Sequence, residues 1–83
     1  MRLRPLRADM VQYMRKRNLT RKYAKASRLF ELNSRHPSLH FELLEPRERG
    51  VHSFRIDRKY RALFLLVAPD EAEVFSITNH YKK

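Results

Sequence analysis

The second of two short helical segments near the start of the chain has the clearest apolar pattern. An apolar residue recurs there every three or four positions, as a stripe along one side of a helix requires. The members of this stripe are Leu19, Tyr23, Ala26 and Phe30. We therefore predict a helix over residues 21–32, with its basic side chains largely off the stripe.

A shorter helix is predicted just before it, over residues 10–17. Asp9 and Thr20 are residue types that cap helix N-termini, and each stands where one of the two helices is expected to begin. The two helices are separated by only two or three residues, so they form a helical hairpin over residues 9–33. The basic segment 1–8 is interrupted by a proline and is expected to be either a loose arm or an edge strand.

After Pro37 the apolar residues alternate with polar ones, a period of two that is typical of strands. Four such runs over residues 38–81 are separated by short turns rich in Pro, Gly and Asp, which predicts an antiparallel meander of four strands. The third run, residues 60–67, is apolar on both faces and suits a central strand.

These elements predict an α+β fold in which the helical hairpin packs on one face of a four-stranded antiparallel sheet. The length of 83 residues fits a single domain over 1–83. Without cysteine, a disulfide scaffold, a thiol nucleophile and a Cys-based zinc site are excluded. The face towards the helices is expected to carry Phe41, Phe54, Ile56, Phe64, Phe75 and Ile77.

The net charge of +10 changes the picture from a generic small domain to one with an anionic partner. Ten of the 19 Lys and Arg residues lie in residues 1–28, which contain one acidic residue. A polyanion such as RNA is the first interpretation. An acidic membrane surface, an acidic protein and a merely solvated basic face are alternatives. The candidate RNA-binding residues are Arg15, Lys16, Arg21, Lys22, Arg58 and Lys59.

The sheet face away from the helices carries the candidate chemistry. Strand alternation places on it His40, Glu42, Ser53, Arg55, Arg61 and His80. Tyr81 follows at a strand end, where twist can bring its ring to the same face. Arginines bind a phosphodiester and stabilise the charge that develops on it, and a His or Tyr moves a proton. The pattern is compatible with RNA cleavage through the 2′-hydroxyl, which needs no metal.

Ordinary surface roles are the alternative for these residues, since a His and a Tyr near a terminus are common without any function. The histidines at 36, 40 and 52 raise the question of a metal site. Their spacing is not HExxH and they share no obvious face, so no metal site is predicted. No apolar run approaches the length of a membrane span. The apolar stripe of the second helix is required by the sheet and is not available to a membrane surface, so no membrane partner is expected.

Four segments in order resemble the RelE/ParE/HigB superfamily of toxins from bacterial type II toxin–antitoxin systems. Residues 33–39 (NSRHPSL) resemble the segment before that superfamily's first meander strand. Residues 53–56 and 60–64 resemble its central hairpin. Residues 77–81 (ITNHY) resemble its closing strand, and their His-Tyr ending is similar to that of the YoeB/RelE-like branch.

The resemblance implies a small basic endoribonuclease that cuts messenger RNA on the ribosome without any cofactor. Arg61 corresponds to the phosphate-binding arginine and Arg55 to a basic position on the catalytic face. His80–Tyr81 corresponds to the terminal acid/base pair. The acidic catalytic residue of YoeB-like proteins has no clean counterpart, so His40 or Glu42 would have to take its place.

The resemblance also implies partners. These are a cognate antitoxin protein, the ribosome and mRNA, in the cytoplasm, and it allows the toxin–antitoxin complex to bind operator DNA through the antitoxin. Two other functions are compatible with the same fold: inhibition of DNA gyrase, as in ParE-type relatives, and non-catalytic binding of RNA or ribosomes. Arg61 together with His80–Tyr81 favours the nuclease.

Overall fold

Two helices and five strands make up residues 1–79, the part of the chain that the computed structural model describes. In chain order they are β1 (Arg2–Leu3), α1 (Ala8–Lys16), α2 (Thr20–Leu32), β2 (Glu42–Leu43), β3 (His52–Arg55), β4 (Arg61–Ala68) and β5 (Glu71–Thr78). The sheet order is β1-β5-β4-β3-β2, so β4 is the central strand, as predicted. Single turns of 3₁₀ helix lie at Pro37–Leu39 and Arg47–Arg49.

The predicted α+β architecture is confirmed, with one strand more than expected. Of the two alternatives for the N-terminal segment, the edge strand is the one formed. The backbone N–H groups of Arg2 and Arg4 donate to the carbonyls of Asp70 and Ala72, both at 2.9 Å. Because β1 runs parallel to β5 while the other neighbours are antiparallel, the sheet is mixed and not wholly antiparallel.

Both helices begin slightly earlier than predicted. Asp9 and Thr20 lie inside the first turns, and the N-cap positions are occupied by Arg7 and Leu19 without a side-chain cap. The Asp9 carboxylate instead accepts from the Arg7 guanidinium at 3.2 Å, which holds it beside the positive end of the helix dipole. Within residues 1–79, no helix has both the length and the apolar character that crossing a bilayer requires.

The apolar stripe of α2 packs on the sheet as predicted. Phe30 is fully buried, and its ring lies 4.8 Å from that of Phe54 and 5.2 Å from that of Phe64. Tyr23 packs against Phe54 at 6.2 Å. Burial, with the Glu31 charge nearby, raises the pKa of Tyr23 to about 12. Tyr23 is therefore a core residue and not a platform for stacking bases.

A β-bulge in β5 overturns one predicted core position. Leu63 pairs with Ser76, but the next residue, Phe64, pairs with Val74, so Phe75 is the extra residue of the bulge. The alternation is reset at this point. Val74 is only 2% exposed and fills the core face, while Phe75 is half-exposed and lies outside the core. The prediction that Phe75 is buried is wrong.

The first predicted meander strand is shorter than expected. Its start forms the 3₁₀ turn Pro37–Leu39, because the His36 side chain accepts from the Ser38 N–H at 3.2 Å and the proline favours such a turn. His40 then adopts a left-handed conformation with φ 48°. Regular pairing with β3 begins only at Glu42.

Candidate active site

Two arginines stand directly opposite each other on neighbouring strands, on the sheet face away from the helices. Arg55 ends β3 and pairs with Arg61, which begins β4. Directly opposed side chains have Cβ atoms about 4.5–5.5 Å apart, so two like charges there repel each other. An anion bound beside both guanidinium groups would relieve the repulsion. This opposed pair is the centre of the candidate site.

Arg61 is only 8% exposed, and its guanidinium has neutral acceptors among its partners. Its Nε and one terminal nitrogen donate to Ser53 Oγ at 3.0 and 2.8 Å, and that terminal nitrogen also donates to the backbone carbonyl of His40. Ser53 is itself fully buried. These bonds fix the direction of the guanidinium without neutralising its charge, which is the preorganisation that charge stabilisation requires.

Glu42 brings a carboxylate to the same place. Its Oε1 lies 3.9 Å from the terminal nitrogen of Arg61, an ion-pair distance too long for a hydrogen bond. The Glu42 side chain is 34% exposed, so solvent or a ligand can reach its oxygens. A carboxylate in this position is able to accept a proton from a hydroxyl group that enters beside Arg61.

His40 contacts both arginines because of its unusual backbone. Its left-handed φ of 48°, which His adopts more readily than most residues, directs the carbonyl to Arg61 and the imidazole to Arg55. A terminal nitrogen of Arg55 lies 2.9 Å from His40 Nε2. Arginine only donates hydrogen bonds, so Nε2 is the acceptor and the ring proton is on Nδ1.

Asp57 shapes the turn between β3 and β4. Its Oδ1 accepts from the backbone N–H groups of Lys59 and Tyr60 at 2.9 and 2.8 Å, and its Oδ2 from Lys22 Nζ at 3.1 Å. Its backbone carbonyl accepts from Arg55 Nε at 3.2 Å. Burial pushes the pKa of Asp57 up, but the two backbone hydrogen bonds and Lys22 outweigh it, so the pKa is lowered. Asp57 thereby ties the turn to α2 and orients Arg55.

We expect Asp57→Ala to lower the free energy of unfolding by about 1–3 kcal/mol at pH 7, because it leaves hydrogen-bond donors without their acceptor. Urea denaturation measures this. A depressed pKa in the folded state contributes stability above the unfolded value and loses it as pH falls through the folded one. The advantage of the wild type over Asp57→Asn should therefore shrink below about pH 4. Equal stability of wild type and Asp57→Ala at pH 7 would contradict this role.

Three of the five predicted catalytic residues lie together in the structure, namely Arg61, Arg55 and His40. Glu42, which the sequence offered as the alternative to His40, belongs to the same cluster. The other two, His80–Tyr81, lie outside the described residues.

Two residues of the cluster are not among those predicted from the sequence as site residues. Ser53 could be placed on the correct face by strand alternation, but its contact with Arg61 depends on the register between β3 and β4. Asp57 precedes an Arg-Lys pair in a tight connection, where an Asp commonly bonds the backbone two residues on. That local pattern is the signal that could have identified it.

The six predicted RNA-binding residues are all exposed, at three places on the surface. Arg15 and Lys16 end α1, and Arg21 and Lys22 lie in the first turn of α2. The other two, Arg58 and Lys59, lie in the β3–β4 turn beside α2. Lys22 is ion-paired with an aspartate of that turn, which offsets its charge.

The three histidines considered as metal ligands occupy separate positions. The ring of His52 stacks on Phe64 at 5.4 Å, on the core face. His36 Nδ1 forms a hydrogen bond with Ser38 Oγ at 2.9 Å, while His40 lies beside Arg55 and Arg61. Among residues 1–79, no group of three or more His, Asp or Glu side chains is arranged to hold a metal ion.

The architecture described above defines a class of small α+β proteins in which a helical hairpin covers one face of a sheet and charged side chains the other. A chain of the heterotetrameric YoeB–YefM toxin–antitoxin complex from Staphylococcus aureus has this fold. It superposes with a TM-score of 0.67 over 96% of the present chain and 94% of that chain, at 17% sequence identity. The α+β fold predicted from the sequence is thereby confirmed as one that a chain of this complex shares. No protein-family model and no curated protein matches the sequence.

Proposed function

We propose that this protein is the toxin of a type II toxin–antitoxin system, a metal-independent endoribonuclease that cuts mRNA on the ribosome and is neutralised by a cognate antitoxin. The observation that carries the proposal is the opposed pair Arg55 and Arg61, with Glu42 and His40 beside it. This cluster lies on a fold shared with a chain of a toxin–antitoxin complex.

The proposed reaction is transesterification at a phosphodiester bound between the two arginines. The ribose 2′-oxygen attacks the adjacent phosphorus, and the bond from phosphorus to the 5′-oxygen of the next nucleotide breaks. The products are a 2′,3′-cyclic phosphate and a 5′-hydroxyl. The 2′-hydroxyl proton passes to a general base, and the leaving oxygen receives a proton from a general acid. Arg61, held rigid by Ser53, stabilises the negative charge that accumulates on the phosphoryl oxygens.

Glu42 is assigned as the base and His40 as a positioning residue. The Nε2 lone pair of His40 is already used by Arg55, so it cannot take a proton without breaking that contact. Among residues 1–79, the Glu42 carboxylate has only the 3.9 Å contact with Arg61, and it remains open to a hydroxyl. The general acid is assigned to His80–Tyr81 because of the family resemblance.

The proposed partners follow from charge and from the structural relative. A net charge of +10 and exposed cations on both helices support binding to ribosomal RNA. The related chain is part of a complex of YoeB with YefM, which supports an antitoxin partner for this protein as well. Such a protein acts in the cytoplasm, where mRNA is translated, and its complex can reach operator DNA through the antitoxin.

The test is induced expression followed by primer-extension mapping of transcripts. New 5′ ends within translated codons, suppressed by co-expression of an adjacent small open reading frame, are the expected result. Double-strand DNA breaks with intact transcripts would identify a gyrase inhibitor instead. Ribosome binding without cleavage or breaks would identify a non-catalytic binding protein.

Ribosome association should depend on the helix cations. We expect the combined replacement Arg15→Gln, Lys16→Gln and Arg21→Gln to weaken binding and to flatten its dependence on salt by about 0.9 in log–log slope per lost phosphate contact. Sedimentation with ribosomes at several salt concentrations measures the slope. Arg47→Gln with Arg49→Gln, exposed cations outside the predicted set, is the matched control. An unchanged slope in the triple variant would exclude this surface.

A further inference from the structure

A groove lies beside the arginine cluster, between α2 and the end of β3. Its volume is about 340 Å³. The floor is apolar and is formed by Ala26, Leu29, Leu39 and Ile56. It is open at the sheet edge because β2 pairs with β3 only at His52 and Ser53, and β3 continues beyond them.

The rim of the groove carries an excess of positive charge. Lys22, Lys25, Arg55 and Arg58 line it, with Asp57 as the acidic residue among the lining side chains. Asp57 is ion-paired with Lys22 at 3.1 Å, so these two charges offset each other. Within residues 1–79, Lys25 and Arg58 have no ion-pair partner. Two cations in addition to Arg55 therefore face the groove.

Arg55 joins the groove to the candidate active site. It pairs with Arg61 across the strands and also lines the groove. Its Nε and one terminal nitrogen are used by the Asp57 carbonyl and by His40, at 3.2 and 2.9 Å. An RNA strand that runs from the two arginines into the groove would pass Arg55.

We infer, on the basis of the nuclease function proposed above, that the groove is a subsite for the nucleotide of single-stranded RNA next to the scissile phosphate. A nucleotide combines a flat, largely apolar base with an anionic phosphate, which matches an apolar floor under a cationic rim. The volume falls at the lower end of the range for small-ligand pockets, about 300–1,000 Å³, which suits one nucleotide. The base lies on Leu29 and Ile56, and its phosphate is bound by Lys25 and Arg58.

Binding of a cleavage-blocked RNA trinucleotide tests the subsite. Ribose 2′-O-methylation removes the nucleophile, so the probe binds without reacting. Titration into the full chain should shift the methyl NMR signals of Ile56 and Leu29. Lys25→Gln and Arg58→Gln, both exposed substitutions, should each weaken binding about tenfold and lower the salt slope by about 0.7 per lost contact on a single strand. Arg47→Gln, outside the groove, is the control and should bind like the wild type.

The outcomes separate the subsite from the nuclease proposal. Backbone amide shifts confined to Ser53 and its neighbours, with unchanged Ile56 and Leu29 methyl signals, would overturn the subsite and leave the arginine cluster as an RNA site. Equal methyl shifts with inorganic phosphate or an acidic peptide, and no preference for the trinucleotide, would also overturn it. Groove shifts weakened by Lys25→Gln support the subsite even if induced cells show intact transcripts, in which case the nuclease proposal alone fails.

Discussion

Arg61→Ala should reduce transcript cleavage by about 10²–10³-fold, the usual cost of removing one preorganised donor from a transition state. Arg61 faces the site with its direction fixed by Ser53 and by the His40 carbonyl. Primer extension after induction at matched protein levels gives the cleavage rate. A folded Arg61→Ala protein that cleaves at the wild-type rate would remove Arg61 from the proposed mechanism.

Because Arg61 is buried, the controls for Arg61→Ala must separate a loss of stability from a loss of activity. Arg61 is 8% exposed, and its loss leaves the Ser53 hydroxyl without the donor it has in the wild type. A loss of about 1–3 kcal/mol of stability is therefore expected alongside the loss of activity. Arg61→Lys keeps the charge but not the fork of donors, and it should still lose most activity while restoring part of the stability. Ser53→Ala leaves the charge in place and should reduce cleavage less than either.

Most of the sheet was predictable from the alternation of apolar and polar residues, because a strand with one face on the core shows that period. The order of strands followed from short connections, and the apolar run at residues 60–67 identified the central strand. The bulge at Phe75 was not predictable, since alternation has no marker for a skipped pairing. Whether the N-terminal segment forms a strand could not be decided from the sequence, because the two residues Arg2–Leu3 are too few to show an alternating pattern. Its pairing depends on backbone hydrogen bonds to β5.

The candidate site was predictable only where it depends on strand parity. Arg55 and Arg61 fall on one face by alternation and prove to be direct cross-strand partners. The contact of His40 with both arginines depends on a left-handed backbone after a 3₁₀ turn, which strand parity cannot foresee. The link from Asp57 to Lys22 joins residues 35 positions apart and needs the tertiary packing of α2.

The arrangement of charge explains why this surface is better suited to binding an anion than to stabilising the fold. Two opposed arginines cost stability, and a natural sequence violates such a pairing rule mainly at functional sites. A hydroxyl and a carbonyl orient the Arg61 guanidinium, and the Glu42 carboxylate lies 3.9 Å from it. Under the proposed function, a phosphate is the ligand that this oriented pair would bind.

Glu42→Gln should lower cleavage by about 10²–10⁴-fold, the range expected when a positioned general base is removed. Glutamine has the same shape and keeps an oxygen near Arg61, but it cannot take up a proton. Single-turnover cleavage by purified Glu42→Gln measures this loss, and urea denaturation of the same protein should give a stability close to that of the wild type. The two measurements together separate loss of a base from loss of structure.

His40→Asn is the matched comparison, because asparagine tolerates the left-handed conformation and keeps an acceptor for Arg55. If His40 only positions Arg55, this variant should cleave within about tenfold of the wild-type rate. That reduction is much smaller than the one expected when a general base is missing. The reverse order, with His40→Asn inactive and Glu42→Gln active, would make His40 the base. Glu42 would then serve only as a counter-charge to Arg61, whose guanidinium lies 3.9 Å from its carboxylate.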